Sequence, residues 1–88
     1  MIEVTDAKYI KEYEVFLTFS DGKSGIVDLS YIIKNDGVFR KFKDIEYFIN
    51  FTVSSELGTI TWRNDLDIAP ESLYSRLTGI IPYWAEAS

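Results

Sequence analysis

The 88-residue sequence contains neither cysteine nor histidine. Their absence excludes a disulfide framework, zinc sites built from Cys and His, thiol catalysis and any mechanism that uses a histidine base. No glycine-rich phosphate loop is present, and Ser20, Ser24 and Ser72 have no histidine to activate them. We therefore expect a protein that has no catalytic residues, binds no cofactor and is not an enzyme.

The chain also lacks an excess of basic residues and a long apolar run. Nine Lys and Arg oppose fourteen Asp and Glu, so the formal net charge is −5. That charge repels a phosphate backbone and favours a partner with a basic surface. No apolar run approaches the roughly 18 residues that cross a bilayer, and the acidic N-terminus does not resemble a secretory signal. We expect a cytoplasmic protein that binds neither membranes nor, directly, nucleic acid.

Apolar residues, by contrast, are plentiful. Hydrophobic residues make up 47% of the chain and aromatic residues 16%, which is enough to build a core without a metal or a disulfide. A second core does not fit into this length. We expect one domain over residues 1–79, followed by an apolar tail over residues 80–88.

The first third of the chain has the two-residue period of β-strands. One face of the central run is apolar, while Phe16 falls on the other, more polar face. The apolar face consists of Tyr13, Val15, Leu17 and Phe19. Asp21-Gly22 follows at once, and an Asp-Gly step between two such runs is a strong hairpin signal. The pattern predicts a three-stranded antiparallel meander over residues 2–29.

Short helices and a second hairpin are predicted next. Helical turns are expected over residues 30–34 and 38–43, and Asp44 is placed to cap a third turn. The loop 54–58 precedes the β-branched and aromatic run 59–62, which predicts a second hairpin. The fold class is therefore α+β, with antiparallel strands packed against short helices.

The clearest helix signal lies near the end of the sequence. Pro70 suits the first helical position because its fixed φ fits a helix and its missing N–H has no helical partner there. With Ala69 as the N-cap, Ile68 and Leu73 occupy the positions of a hydrophobic staple. Gly79 takes the position of a C-terminal stop.

The most distinctive stretch of the sequence extends from Thr59 to Tyr74. It consists of Thr59-Ile60-Thr61-Trp62 followed by Asn64, Asp67, Pro70, Glu71, Leu73 and Tyr74. Together with Asp21-Gly22, Val27-Asp28-Leu29 and the helical insert from Phe39 to Phe48, it resembles the small bacterial family known as domain of unknown function 2442. This chain departs from the family pattern at Arg63 and Asp65, where Pro and Gly are favoured.

The resemblance implies a compact α+β fold and a bacterial origin, and it implies no established activity. In some relatives a domain similar to this one is fused to a helix-turn-helix. Others are encoded beside genes for small toxin-like proteins. A toxin-like partner is therefore an expectation that comes from the resemblance.

Two polar clusters are candidate sites. Four oxygen-bearing side chains lie close together in sequence and are of a type that Mg²⁺ or Ca²⁺ accepts: Asn64, Asp65, Asp67 and Glu71. Their spacing does not fit an EF-hand, because Ala69 and Pro70 stand where Asp or Asn and then Gly are needed. We interpret the first two residues as a turn and Asp67 as an acceptor of backbone N–H bonds before the last helix.

The second cluster is basic and contains interleaved aromatic residues, as nucleic-acid surfaces do. Its members are Lys34, Arg40, Lys41 and Lys43 with Tyr31, Phe39 and Phe42. The aromatic residues have helical spacing, which indicates a buried helix face with solvated cations opposite. Trp62 shares the apolar rhythm of Ile60, which favours the core over a binding groove.

The tail provides the candidate interface, because water disfavours four large apolar side chains at a chain end. These are Ile80, Ile81, Tyr83 and Trp84. We expect them to cover a partner or a second copy, the alternative being that they fold back on this domain.

The sequence thus predicts a protein-binding or scaffolding module, whose partner is a basic, toxin-like protein or a second copy of the chain. Two alternatives stay open. One is an accessory domain of a nucleic-acid-associated regulator that acts through a separate DNA-binding subunit, and the other is a small metal-dependent hydrolase.

Overall fold

The computed structural model describes residues 2–33, 38–63 and 66–79. They form two small antiparallel sheets and several short helices. The strands are β1 Val4–Lys11, β2 Glu14–Phe19, β3 Ser24–Asp28, β4 Thr52–Ser54, β5 Thr59–Trp62 and β6 Leu66–Asp67. The helices are α1 Ser30–Ile33, a 3₁₀ helix Val38–Lys43, α2 Ile45–Ile49 and α3 Pro70–Thr78. The predicted α+β class with antiparallel strands is confirmed.

The first sheet is the predicted meander, with β2 between β1 and β3. Its inner face is built by alternate residues of β2, namely Val15, Leu17 and Phe19, all of which are buried. Val27 lies opposite Val15 on β3 and is buried on the same face. The period-two pattern therefore predicted the correct face of this strand.

The Asp21-Gly22 turn forms as the sequence predicts. Gly22 has a φ of +91°, a conformation that side chains with a Cβ rarely adopt, and its N–H donates to the Phe19 carbonyl at 2.9 Å. Asp21 Oδ1 accepts the backbone N–H of Lys23 at 3.0 Å. The turn residues thus fix the register between β2 and β3.

The second sheet has the order β4-β5-β6. The predicted hairpin is β4 and β5, with Val53 opposite Ile60. The sequence did not predict β6, which pairs Asp67 with Thr61. The Thr59 hydroxyl is buried and donates to the Ile68 carbonyl at 2.6 Å, which holds the chain after β6 against the sheet.

The helix termini follow the predicted signals. Asp44 caps α2 by accepting the Glu46 N–H at 3.1 Å. Ala69 is the N-cap of α3, and Pro70 occupies the first turn. Gly79 ends α3 in the left-handed conformation with a φ of 75°. The helix predicted over residues 38–43 forms as a 3₁₀ helix, which is tighter and usually short.

An aromatic cluster fills the space between the two sheets. Phe48 of α2 is completely buried, and its ring packs edge-on against Tyr13 at 4.9 Å between centroids. Trp62 is only 4% exposed, and its Nε1–H donates to the Phe48 carbonyl at 2.8 Å. Phe42 packs against Trp62 with ring centroids 4.5 Å apart and ring planes tilted by 46°. Trp62 is therefore a core residue, as its sequence rhythm indicated.

Helix α3 packs against the inner face of β3. A Cβ atom at Gly25 would lie 2.6 Å from Leu77 Cδ1, so the glycine allows the helix to approach the strand closely. Tyr74 packs edge-on against Phe19 at 5.2 Å between ring centroids. These contacts leave the opposite face of β3 outside the core.

We predict that Gly22→Val destabilises the protein by about 1–3 kcal/mol, the usual cost of strained backbone. Apart from the two neighbouring residues, no atom of the described part of the chain lies within 4 Å of a Cβ at this position, so the expected loss comes from backbone conformation. Gly22→Asn is the control and is expected to lose less, because Asn tolerates positive φ. Urea denaturation measures both. Equal stability of parent and valine variant would contradict the assigned turn.

Candidate functional site

Several residues singled out in the sequence lie outside the described residues. These are Lys34, Asn64, Asp65 and the tail residues Ile80, Ile81, Tyr83 and Trp84. The predicted tail interface and the predicted turn at Asn64 therefore stay predictions. The domain limits 1–79 and 80–88 stay predictions as well.

The basic cluster separates into exposed cations and a buried ring. Arg40, Lys41 and Lys43 of the 3₁₀ helix are exposed, whereas Phe42 between them is completely buried. Arg76 lies over the Tyr31 ring at 3.8 Å from its centroid. Phe42 therefore has no face open for stacking on a base, and the Tyr31 face is occupied by the guanidinium.

Asp67 does not cap the last helix, so that expectation is wrong. It lies in β6 with an exposed side chain, and the described residues provide no hydrogen bond to its carboxylate. The strand pairing with Thr61 holds its backbone extended two residues before the N-cap. Helix α3 begins instead with Pro70 in its first turn and with Ile68 and Leu73 buried.

Glu71 lies half-buried in the first turn of α3, where its charge suits the helix dipole. Within residues 2–33, 38–63 and 66–79, no three acidic side chains come close enough to hold a metal ion. Asp67 and Glu71 therefore have no third acidic ligand among the residues that are described.

Asp21 and Tyr74 join the hairpin turn to α3 across 53 residues of sequence. The Tyr74 hydroxyl donates to Asp21 Oδ2 at 2.7 Å, and Lys23 Nζ lies 3.5 Å from the same oxygen. The Lys23 N–H and the Tyr74 hydroxyl hold the pKa of Asp21 below its usual value. The same hydrogen bond to Asp21, together with burial, raises the pKa of Tyr74. The Asp21 carboxylate thus connects the hairpin turn to α3.

A cleft of about 440 Å³ lies beside the 3₁₀ helix. The described residues that line it are Lys41, Asp44, Tyr47 and Arg63. The Asp44 carboxylate is used to cap α2, and the Tyr47 hydroxyl donates to the Arg63 carbonyl. Because these two polar groups already serve the fold and the charges have both signs, the cleft is a weak candidate for a ligand site.

The outer face of the first sheet is the stronger candidate. Phe16 of β2 lies opposite Ile26 of β3 on this face, and Lys8 of β1 lies opposite Phe16. Ile26 is 52% exposed, and its neighbours on the same face of β3, Ser24 and Asp28, are exposed as well. We call the pair Phe16 and Ile26 the apolar centre of the outer face.

Two carboxylates border the apolar centre. Glu14 and Asp28 lie directly opposite each other on the outer face, an arrangement that is unfavourable for like charges. The Ser30 N–H, bonded to Asp28 Oδ1 at 2.9 Å, holds the pKa of Asp28 below its usual value, and Arg76 adds to the effect. Asp28 is therefore ionised at neutral pH. We call Glu14 and Asp28 the acidic rim.

Sequence reasoning missed this surface, although a signal was present. Phe16 falls on the polar side of the β2 pattern, where a soluble strand usually has polar residues. Ile26 is the only large apolar residue on the outer face of β3. Two such residues on neighbouring strands indicate an exposed apolar patch once the strands are paired.

The site belongs to a small α+β domain whose first sheet packs on one face and presents an apolar centre with an acidic rim on the other. The family model described as "Protein of unknown function (DUF2442)" matches residues 4–79. The chain belongs to this family, which confirms the resemblance seen in the sequence. No curated protein and no solved structure matches the chain.

The family description assigns no enzymatic activity. In the part of the chain that the structure describes, no helix is long and apolar enough to cross a membrane.

We predict that Asp21→Asn makes the free energy of unfolding depend less on pH in the acidic range. A lowered pKa in the folded state means that ionised Asp21 stabilises the fold above its unfolded pKa of about 3.9. This contribution is lost as the pH falls through the lower folded pKa. Urea midpoints between about pH 2 and pH 7 measure the difference from the parent chain.

Glu56→Gln is the matched control, since Glu56 is an exposed carboxylate in the loop between β4 and β5. It is expected to keep the parent's pH dependence. Tyr74→Phe removes the second hydrogen bond to Asp21 and is expected to give an intermediate curve. An Asp21→Asn curve that parallels the parent would show that the carboxylate does not stabilise the turn.

Proposed function

We propose that this chain is a non-enzymatic protein-binding module whose outer face engages a partner with a basic surface. The observation that carries the proposal is Ile26, which is 52% exposed beside Phe16 and next to the acidic rim. An apolar centre bordered by charge is the usual organisation of a protein–protein interface.

The charges of the surface favour a basic partner. Glu14 and Asp28 lie opposite each other, with Lys11 opposite Glu14 on β1 and Arg76 near Asp28. A further cation between the two carboxylates is expected to relieve their mutual repulsion. The net charge of −5 has the same sign and steers a basic protein toward the domain. The apolar centre then provides the area that is removed from water on binding.

The finer identity of the partner comes from the family resemblance. It suggests a small, basic, toxin-like protein encoded beside the domain, which the module would bind or scaffold. The acidic rim supports this choice because a basic protein complements it.

A second candidate is an accessory domain of a nucleic-acid-associated regulator. The observation that favours it is the run of exposed cations Arg40, Lys41 and Lys43 on the 3₁₀ helix. Because Phe42 is buried, direct stacking on single strands is disfavoured, and a separate DNA-binding subunit would have to supply recognition.

We expect capture by the tagged chain in cells of its source to retain a basic protein, which is then identified and purified. Titration calorimetry with that purified protein compares the parent with Glu14→Lys. Charge reversal in the rim is expected to weaken binding by about tenfold or more, because it places like charges at the interface. The fold is expected to persist, since the change puts opposite charges on positions 14 and 28, which offsets the like charges that it puts on positions 11 and 14.

Glu56→Lys is the control, because it makes the same charge change in an exposed loop of the second sheet. It is expected to bind within about twofold of the parent at physiological salt, where distant charges are screened. If both variants weakened binding equally, the change in net charge would explain the effect. That result would contradict the assignment of the binding site to the outer face. Retention of a nucleic-acid-binding protein that contacts the 3₁₀ helix would favour the second candidate.

A further inference from the structure

Strand β3 is an edge strand. The hydrogen bonds at its two ends show which of its residues bond to β2 and which have backbone groups that point away from the sheet. The Phe19 N–H donates to the Lys23 carbonyl at 2.8 Å, and the Leu29 N–H donates to the Tyr13 carbonyl at 2.9 Å. Hydrogen-bonded pairs alternate along an antiparallel ladder. In the observed register, Gly25 and Val27 therefore bond to β2, while the N–H and C=O groups of the alternate residues point away from the sheet.

The outward-pointing residues are Ser24, Ile26 and Asp28. Among the described residues, no hydrogen bond reaches their backbone N–H or C=O groups. Their side chains lie on the outer face and are exposed. This edge therefore presents free donors and acceptors in alternation, next to an exposed isoleucine.

The other edge of the sheet is protected, and the contrast is informative. Strand β1 has two register irregularities and carries Lys8 and Lys11, which are common devices against edge-to-edge pairing. The Val4 N–H at its start donates to the Gly58 carbonyl of the second hairpin at 2.8 Å. Strand β3 contains no lysine, proline or bulge. Its unprotected edge is typical of a strand that pairs with another strand.

We propose that β3 pairs antiparallel with β3 of a second copy of this chain, about a two-fold axis that passes beside Ile26. The inference goes beyond the proposed function and does not rest on it. It concerns the backbone edge of the sheet, whereas the proposed partner binds side chains of the outer face.

The sequence of β3 selects both the occupant and the register. When Ile26 lies opposite Ile26 of the second copy, Ser24 lies opposite Asp28 of the second copy. Asp28 then lies opposite Ser24 of the second copy. All three outward residues then exchange both backbone hydrogen bonds with a partner. A shift by two residues leaves one outward residue of each strand without an opposite outward residue of β3. The centred register therefore satisfies most edge groups.

Side chains agree with this register. It pairs isoleucine with isoleucine, and it places the Ser24 hydroxyl, a donor, opposite the Asp28 carboxylate, an acceptor. It also keeps the two Asp28 carboxylates apart. Helix α3 contacts β3 from the inner face, through Leu77 over Gly25, and thus packs on a face rather than along the edge.

Such a dimer has one continuous six-stranded sheet. Because the two-fold axis is perpendicular to the sheet, both outer faces lie on the same side. The apolar centres of the two copies then become neighbours across the junction of the two β3 strands. The chain's net charge of −5 opposes association, so salt is expected to strengthen the dimer.

Cysteine cross-linking tests the register, and the chain has no cysteine of its own. In Ile26→Cys the two symmetry-related Cα atoms are expected about 5.5 Å apart, within the range of a disulfide. Ser24→Cys is the matched control on the same strand and face. Its two Cα atoms are expected about 14 Å apart, too far for a disulfide. We expect oxidation to give a disulfide dimer with Ile26→Cys at least about tenfold faster than with Ser24→Cys.

Sedimentation equilibrium of the parent chain tests the association itself. We expect a concentration-dependent dimer that strengthens with added sodium chloride. Ile26→Pro removes no hydrogen-bonding group other than an outward-pointing N–H, and it is expected to weaken the dimer by about tenfold while the fold is kept. Equal cross-linking of the two cysteine variants, or a parent chain that stays monomeric at every concentration, would overturn the proposal even if the proline variant failed to fold.

Discussion

The structure depends on Phe48, which joins the two sheets. Its ring contacts Tyr13 in the turn between β1 and β2 and Phe42 on the 3₁₀ helix, with centroids 4.9 and 5.5 Å away. Its carbonyl accepts the Trp62 indole N–H, so the second sheet is tied to the same residue. Aromatic rings bury large areas with defined geometry, which lets a small chain build a core without a disulfide. The Asp44 cap fixes α2, and with it the position of Phe48.

A single core between the two sheets buries one face of each sheet. Val15, Leu17 and Phe19 point into it, and so the alternate residues of β2 and β3 must point outward. In a three-stranded meander the third strand also has a free edge. The outer face with its acidic rim and the edge of β3 are therefore two consequences of the same packing. The first offers side chains to a basic partner, and the second offers backbone groups to a second copy.

Local signals predicted much of the fold because the responsible interactions are local. Gly22 in its turn, Asp44 as a cap and Gly79 as a helix stop all act within a few residues, and each was identified from the sequence. Trp62 was placed correctly in the core because strand periodicity carries burial information.

The remaining features depend on contacts between distant residues. The hydrogen bond from Tyr74 to Asp21 spans 53 residues, and no local sequence pattern predicts it. Strand β6 has two residues, too few for periodicity, and exists because β5 lies beside it. Because β6 pairs with β5, Asp67 occupies an exposed strand position and not the capping position that the sequence predicted. The exposed Ile26 became informative only when the strand order made β3 an edge.

Amide hydrogen exchange at Ile26, followed over a range of protein concentrations, tests the central claim most directly. In dilute solution the Ile26 amide is expected to exchange quickly, and the amide of Val27, bonded to β2, slowly. As the concentration rises, protection of Ile26 is expected to increase while that of Val27 changes little. An Ile26 amide that exchanges quickly at every concentration, or one already protected in the most dilute sample, would contradict an open edge that pairs with a second copy.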